Sequence, residues 1–183
     1  MGKQYSELTA PLIRFIAAQK LFFVATASTD SRINLSPKGM DSLRVLQPNR
    51  VLWLNVTGSG NETAAHVQEC ARMTLMFAAF DGDPLILRLY GQARAIHHAD
   101  AEWDDFYRLF PPLPGARQIF ELNLDLVQTS CGMAVPLFEY IADRDQLNNW
   151  ARKKGDAGLR QYWQEKNALS LDGVPTHIAS KNR

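Results

Sequence analysis

The chain reads as a mainly β (α+β) domain, a small Greek-key barrel with peripheral and C-terminal helices. Short apolar or alternating segments recur from Leu21 to Gln128, each bounded by turn residues. Stretches with helical spacing are few, and most lie before, between or after those segments. Several short strands with inserted helices close most simply as a Greek-key barrel.

Ser6 is placed to cap a first helix to about Gln19, with Leu8, Leu12, Ile13 and Ile16 on its apolar face. Leu21–Ala27 is a β-rich run ending in the turn Ser28-Thr29-Asp30-Ser31. Ile33–Lys38 is a second strand, and Leu43–Leu46 is expected to continue that sheet after Gly39. Pro37 cannot donate to a ladder, so its strand belongs at an edge or at a bulge. Gln47-Pro48-Asn49 turns the chain into the strand Val51–Val56, and Asn61–Cys70 suits a short helix. Arg72–Phe80 is an apolar strand closed by Asp81-Gly82-Asp83-Pro84. Leu85–Ile96 alternates, with Leu85, Leu87 and Leu89 on one face and Arg88, Gln92 and Arg94 on the other. A helix over Ala101–Leu109 starts with Glu102, Asp104 and Asp105, which suit its positive end, and Pro111-Pro112-Leu113-Pro114-Gly115 closes it. In Ile119–Gln128, Phe120, Leu122, Leu124 and Leu126 alternate with polar residues. Thr129–Pro136 ends the barrel. Helices over Arg144–Lys154 and Ala157–Lys166 break at Gly155, and the tail from Ser170 is expected to be loose. Residues 1–140 form the barrel domain, and 141–183 a helical appendage of the same domain.

Composition narrows the function. The chain has 183 residues, a net charge of +1 and no block of basic residues, so a nucleic-acid footprint is not expected. No apolar run nears the roughly 20 residues that cross a bilayer, so no membrane partner is expected. Met1–Ala10 carries one lysine and no apolar h-region, so no secretory signal is read there. Two cysteines, Cys70 and Cys131, imply no disulfide framework, and a cytoplasmic site is expected. His97 and His98 are adjacent and read as a surface pair, and His66 as a surface or capping residue. Cys131 reads as a small buried residue. No hydrolytic triad, nucleophile elbow or metal-ligand spacing is present.

Asn34, Ser36 and Lys38 share one strand face, where an amide, a hydroxyl and an ammonium can meet a phosphate and a polyol. The same spacing also serves a solvated outer face. Gly58-Ser59-Gly60-Asn61-Glu62-Thr63 is a glycine turn feeding a helix, whose free amides favour an anion. It is neither a P-loop nor a dinucleotide fingerprint. Turns of this composition also cap ordinary helices. Trp53 and Asn55 share a face of their strand. Trp53 suits packing, or the border of a planar ring. Arg88 suits either a solvated strand or a cation beside a reduced ring.

Taken in order, these pieces resemble the pyridoxamine 5′-phosphate oxidase-like, FMN-binding split-barrel family. Phe23-Val24-Ala25-Thr26 opens the barrel, Asn34-Leu35-Ser36-Pro37-Lys38-Gly39 takes the place of the second-strand phosphate motif, and Leu52-Trp53-Leu54-Asn55 follows. Ser59-Gly60-Asn61-Glu62-Thr63 stands where the family binds the flavin phosphate, and Met73–Phe77 and Leu87–Arg94 match the next strands. The resemblance spans about Leu12 to Gln128. It implies a homodimer with FMN at the subunit interface and two-electron flavin chemistry; a reduced nicotinamide is the expected electron donor, and a small molecule or oxygen the acceptor. On it, Lys38 and Ser59–Thr63, with Asn61 and Glu62 between them, hold the phosphate. Asn34, Ser36 and Asn55 hold the ribityl chain or ring edge, and Trp53 and Arg88 border the ring. Val127–Tyr140 is a candidate roof over the flavin. Asn34 replaces the oxidase's arginine, and the C-terminal Trp and Arg-Leu segment is not recognisable, so pyridoxamine phosphate is not the expected substrate. A carrier or sensor, or a haem-utilisation barrel with His66, His97 or His98 as axial ligand, are the other readings.

Overall fold

The structure, a computed structural model, describes residues 2–182. Its strands are β1 (Gln4–Tyr5), β2 (Phe22–Thr26), β3 (Asn34–Lys38), β4 (Leu43–Gln47), β5 (Arg50–Val56), β6 (Arg72–Ala78), β7 (Ile86–Ile96) and β8 (Ala116–Ser130). The helices are α1 (Ala10–Ala18), α2 (Glu62–Glu69), α3 (Trp103–Tyr107), α4 (Gln146–Lys166) and α5 (Ile178–Lys181). One sheet runs β3-β2-β6-β7-β8-β5-β4, with β1 added on β8. Every pairing is antiparallel.

β3 and β4 end the order at opposite edges, so the barrel stays split there. β4 therefore does not extend the sheet beside β3, as its place in the sequence suggests. It pairs with β5, and the chain crosses the split through Gly39–Ser42. Met40 (φ 65°) and Asp41 (φ 52°) both adopt left-handed backbone in this link. Such backbone costs about 1–3 kcal/mol per non-glycine residue and tends to occur beside ligand sites. Ser42 Oγ donates to Gly39 O at 2.6 Å, and Arg44 grips the Asp41 carboxylate at 2.7 and 2.8 Å. β3 lies at an edge, as Pro37 requires.

The core fills from alternating strands. Phe22, Val24, Trp53, Leu75, Phe77, Leu87, Leu89, Phe120 and Leu122 are buried together, with Leu12 and Ile16 of α1 over them. Alternation along β8 fails twice: Asn55 pairs with Gln118 but Val56 with Ala116, leaving Arg117 as a bulge against β5, and a second break faces β7. Tyr90 pairs with Leu126 but Gly91 with Leu124, leaving Asp125 as a bulge. Past it Val127 and Thr129 turn inward, so Leu126 is not on the face of Phe120, Leu122 and Leu124. Gly91 allows the bulge, because a Cβ there would overlap the Asn123 carbonyl.

The first helix starts at Ala10, with Pro11 in its first turn, and not at Ser6. Before it, Leu8 N–H donates to Pro48 O at 2.7 Å, which ties the entry strand down. Gly155 (φ 62°, ψ 172°) kinks α4 where the sequence places a break. The tail is not loose. Thr176 and Ile178 are fully buried, and Asn182 donates to Arg117 O at 2.6 Å. Val127–Tyr140 contributes no residue to the lining of the cavity at the split; Phe138 instead packs on Phe80, rings tilted, with centres 5.3 Å apart.

Candidate functional site

A cavity of about 360 Å³ opens at the split, within the size range of small-molecule sites. β3 contributes Asn34, Ser36 and Lys38, β5 contributes Trp53 and Asn55, and the turn into α2 contributes Ser59, Asn61, Glu62 and Thr63. Nine of the ten residues singled out in the sequence thus line one space. The alternation of β3 points its polar side chains into the cavity and leaves Leu35 63% exposed on the other face. Arg88 is not in the lining. It sits on β7, where its guanidinium donates to Ser130 Oγ at 3.0 Å.

The cavity also takes Arg117, which no sequence pattern singles out. Alternation starts this strand at Ile119, whereas β8 begins at Ala116 and carries Arg117 into the site. The available signal is its place just after Pro114-Gly115, opposite the strand holding Asn55. Arg117 is 4% exposed and all its partners are neutral. It donates to Asn167 Oδ1 at 2.8 Å and to Gly60 O at 2.7 Å. The orientation that satisfies the Asn55 amide turns its oxygen to Arg117, accepting from Nε at 3.2 Å and Nη2 at 3.3 Å. Burial lowers the Arg117 pKa to about 9, against the raising effects of Tyr162 and Glu62, so it remains charged at neutral pH.

Lys38 lies in the same field. Burial, and then the positive charge of Arg117, lower its pKa to about 8. Its Nζ lies 5.0 Å from the centre of the Trp53 ring, which stacks on Phe120 at 4.9 Å. Among the described residues neither Lys38 nor Arg117 pairs with a carboxylate. The Glu62 carboxylate also lines the cavity and offsets part of the Arg117 charge, but it forms no ion pair with either cation, so the two remain costly as they stand and a bound anion reduces that cost.

The turn completes the cradle. None of the N–H groups from Gly58 to Thr63 has an acceptor among the described residues, and α2 begins at Glu62 behind them. Asn61 is 2% exposed and its Oδ1 is unpartnered, which suits a donor such as a ligand hydroxyl. Asn34 Nδ2 donates to Thr63 Oγ1 at 3.2 Å, which in turn lies 3.5 Å from Thr26 Oγ1. His66 Nδ1 is 3.1 Å from Thr26 Oγ1 and its Nε2 has no partner.

The histidines are not on the surface. His66 is 1% exposed on the buried face of α2 and His97 2% exposed, with Nδ1 3.0 Å from Asn182 Oδ1. The C-terminal segment covers His97 and His98, which is why their strand-end position misleads. His98 packs against Trp103 with the rings tilted by 50° and their centres 4.1 Å apart. None of the three lines the cavity at the split. No metal-holding group of His, Cys, Asp and Glu occurs among the described residues. Cys131 is exposed and not buried, because it follows the end of β8. Arg94 belongs to a structural cluster: Arg50 and Arg94 Nε (2.5 Å) both engage Glu121, which is 3% exposed. No helix is long and apolar enough to cross a membrane among the described residues.

Comparison with known proteins agrees with this architecture. Residues 8–131 match the family model described as pyridoxamine 5′-phosphate oxidase. The pyridoxamine 5′-phosphate oxidase family protein ustO of Aspergillus flavus is 35% identical over 198 aligned residues, covering 98% of this chain and 80% of that protein. Among solved structures, a candidate pyridoxamine 5′-phosphate oxidase from Lactobacillus delbrueckii superposes with a TM-score of 0.55 at 20% identity, over 67% of this chain and 94% of that one. A histidine-to-alanine variant of HupZ of Group A Streptococcus superposes with a TM-score of 0.56 at 15% identity, over 67% of this chain and 99% of that one. The two structures share the fold, and the match of the family model over most of the barrel, with the curated relative, shows that this chain belongs to the pyridoxamine 5′-phosphate oxidase family.

Proposed function

We propose that this chain binds FMN in the cavity at the split and is an oxidoreductase acting on a small molecule. The observation that carries the reading is the pair Lys38 and Arg117, two cations in one cavity that form no ion pair with Glu62, the carboxylate in the same lining. Family membership points to the same kind of ligand. A dianionic phosphate fits this donor set: an ammonium, a guanidinium and a run of free amides. The unpartnered Asn61 Oδ1 and the side chains of Asn34, Ser36 and Asn55 suit the hydroxyls of a ribityl chain.

A bound flavin supplies two-electron chemistry at its ring, and the protein supplies orientation and electrostatics. Lys38, Arg117 and the Ser59–Thr63 turn hold the phosphate. Trp53 walls the cavity and keeps water from one side of it. Arg88 lies outside the cavity of its own chain, so it can border a ring only from a second copy. A homodimer with the flavin at the interface therefore forms part of this proposal. The exposed Leu35 (63%) on the outer face of β3 and Ile33 (77%) just before that strand give such a partner an apolar surface. A reduced nicotinamide is the proposed electron donor.

The test is a visible spectrum of the purified protein, followed by titration with FMN and light scattering. Flavin bands, saturable FMN binding near one per chain and a dimer mass are expected. A colourless protein that does not bind added FMN rejects the reading. Oxidation of reduced nicotinamide by the loaded protein separates an enzyme from a carrier. A Soret band would favour haem instead.

A further inference from the structure

The end of α4 brings Asn167 behind the glycine turn of the cavity from the far end of the chain. The residue is fully buried. Its Nδ2 donates to Gly58 O at 3.0 Å and to Ser59 O at 3.3 Å, while its Oδ1 accepts from Arg117 Nη1 at 2.8 Å. Its own carbonyl accepts from Asn61 Nδ2 at 3.4 Å and from Thr176 Oγ1 at 2.5 Å. Arg117 Nη2 takes the next carbonyl, Gly60 O. Three successive carbonyls of the turn are therefore held by buried donors.

A glycine turn has little preference of its own for which way its peptides face. The two ends of a planar peptide point in opposite directions, so fixing the carbonyls on the protein side fixes the amides on the other. A peptide that flipped would present an oxygen, which repels an anion. Asn167 also spends its only side-chain oxygen on Arg117, which aims the guanidinium without cancelling its charge.

We infer that Asn167 is a positioning residue for the anionic end of the ligand: it sets the direction of the Gly58–Gly60 peptides and orients Arg117, and the C-terminal segment is thereby part of the binding site. This rests on the phosphate reading above. Asn167 need not touch the ligand. A residue that only fastens α4 to the barrel would affect every ligand of the cavity alike, whereas this role affects the phosphate alone.

The test measures dissociation constants of FMN and riboflavin, which differ only in the phosphate, for the full chain and for Asn167→Ala and Asn167→Asp. Inorganic phosphate serves as a competing probe. The wild-type protein is expected to prefer FMN strongly and to lose FMN to millimolar phosphate. In Asn167→Ala the FMN affinity falls at least tenfold while riboflavin stays within twofold. Asn167→Asp, nearly the same shape, pairs its carboxylate with Arg117 and loses the preference for FMN altogether; it keeps the test open should the alanine variant not fold. Equal losses for both flavins, or an unchanged preference for FMN in the folded variants, overturn the role of Asn167 and leave the phosphate site standing. A wild-type protein that binds riboflavin as tightly as FMN, or binds neither, overturns the phosphate reading and this inference with it.

Discussion

Lys38 on the edge strand β3 and Arg117 on β8 reach one cavity from opposite sides of the split, and the charge of Arg117 weakens the hold of Lys38 on its proton. The two are brought together by the sheet order, since 78 residues of chain lie between them. Their repulsion is a stability cost of the ligand-free protein and an attraction for an anion.

Lys38→Met is therefore expected to move two observables in opposite directions. Affinity for FMN should fall about 10- to 100-fold, the worth of one charge-assisted hydrogen bond. The ligand-free protein should become more stable at neutral pH, by at most about 3 kcal/mol, because folding buries the Lys38 ammonium and sets it beside the charge of Arg117. The sign with pH follows. With the folded pKa near 8 and the unfolded one at 10.5, the penalty is complete below pH 8 and is relieved as pH rises from 8 to 10.5. The gap in melting temperature between the variant and the wild type should narrow over that window. Thermal scans from pH 7 to 10 without ligand measure it, and a variant less stable than the wild type at pH 7 contradicts the account.

His97 makes the C-terminal segment sensitive to acid. Burial pushes its pKa down to about 4, against the raising effect of Asn182. The unfolded ring binds a proton near pH 6.5 and the folded one does not, so stability falls as pH drops from 6.5 to 4. The loss is about 3 kcal/mol at its largest. Since Asn182 also holds Arg117 O, loosening should begin at the tail. His97→Gln is expected to flatten the pH dependence of the melting temperature. Hydrogen exchange at pH 5 should show earlier opening of 170–182 than of β7 and β8.

Gly91→Ala should damage folding and not chemistry. Its Cβ would enter the Asn123 carbonyl at the bulge, and backbone cannot yield as a side-chain tip can. A loss of about 2–4 kcal/mol is expected, in the range of severe overpacking. Soluble yield and chemical denaturation check it, and a wild-type denaturation midpoint would count against the assigned bulge.

Glu121 holds Arg50 and Arg94 on the face of β8 away from the cavity. Glu121→Gln leaves two guanidinium groups without their shared carboxylate and should cost about 1–2 kcal/mol, less than a fully buried pair because Arg94 is half exposed and keeps Glu102. FMN affinity measured below the melting transition should stay within about twofold, since no atom of this cluster lines the cavity. Denaturant titration and flavin titration on the same sample separate the two effects.

Local rules carry much of the fold and the site. The period-2 pattern of Asn34, Ser36 and Lys38 and the glycine turn of residues 58–63 each declare a face or a bend within a few residues, because side-chain alternation and helix starts are short-range properties. Pro37 announces an edge for the same reason. Alternation along Ile119–Gln128 is legible up to Leu124 and misleads at Leu126, where the bulge opposite Gly91 needs the partner strand to be seen. What no local pattern can supply is the company these residues keep. Arg117 looks like any polar strand residue until β5 is laid beside β8, and Asn167 like any helix-terminal amide until α4 folds back over the turn. The sequence misplaces His66, His97 and Cys131 because burial depends on what packs above a residue, and that cover comes from distant parts of the chain. The cavity's charge balance is likewise a property of the folded sheet: two cations far apart along the chain become neighbours when the strand order is set.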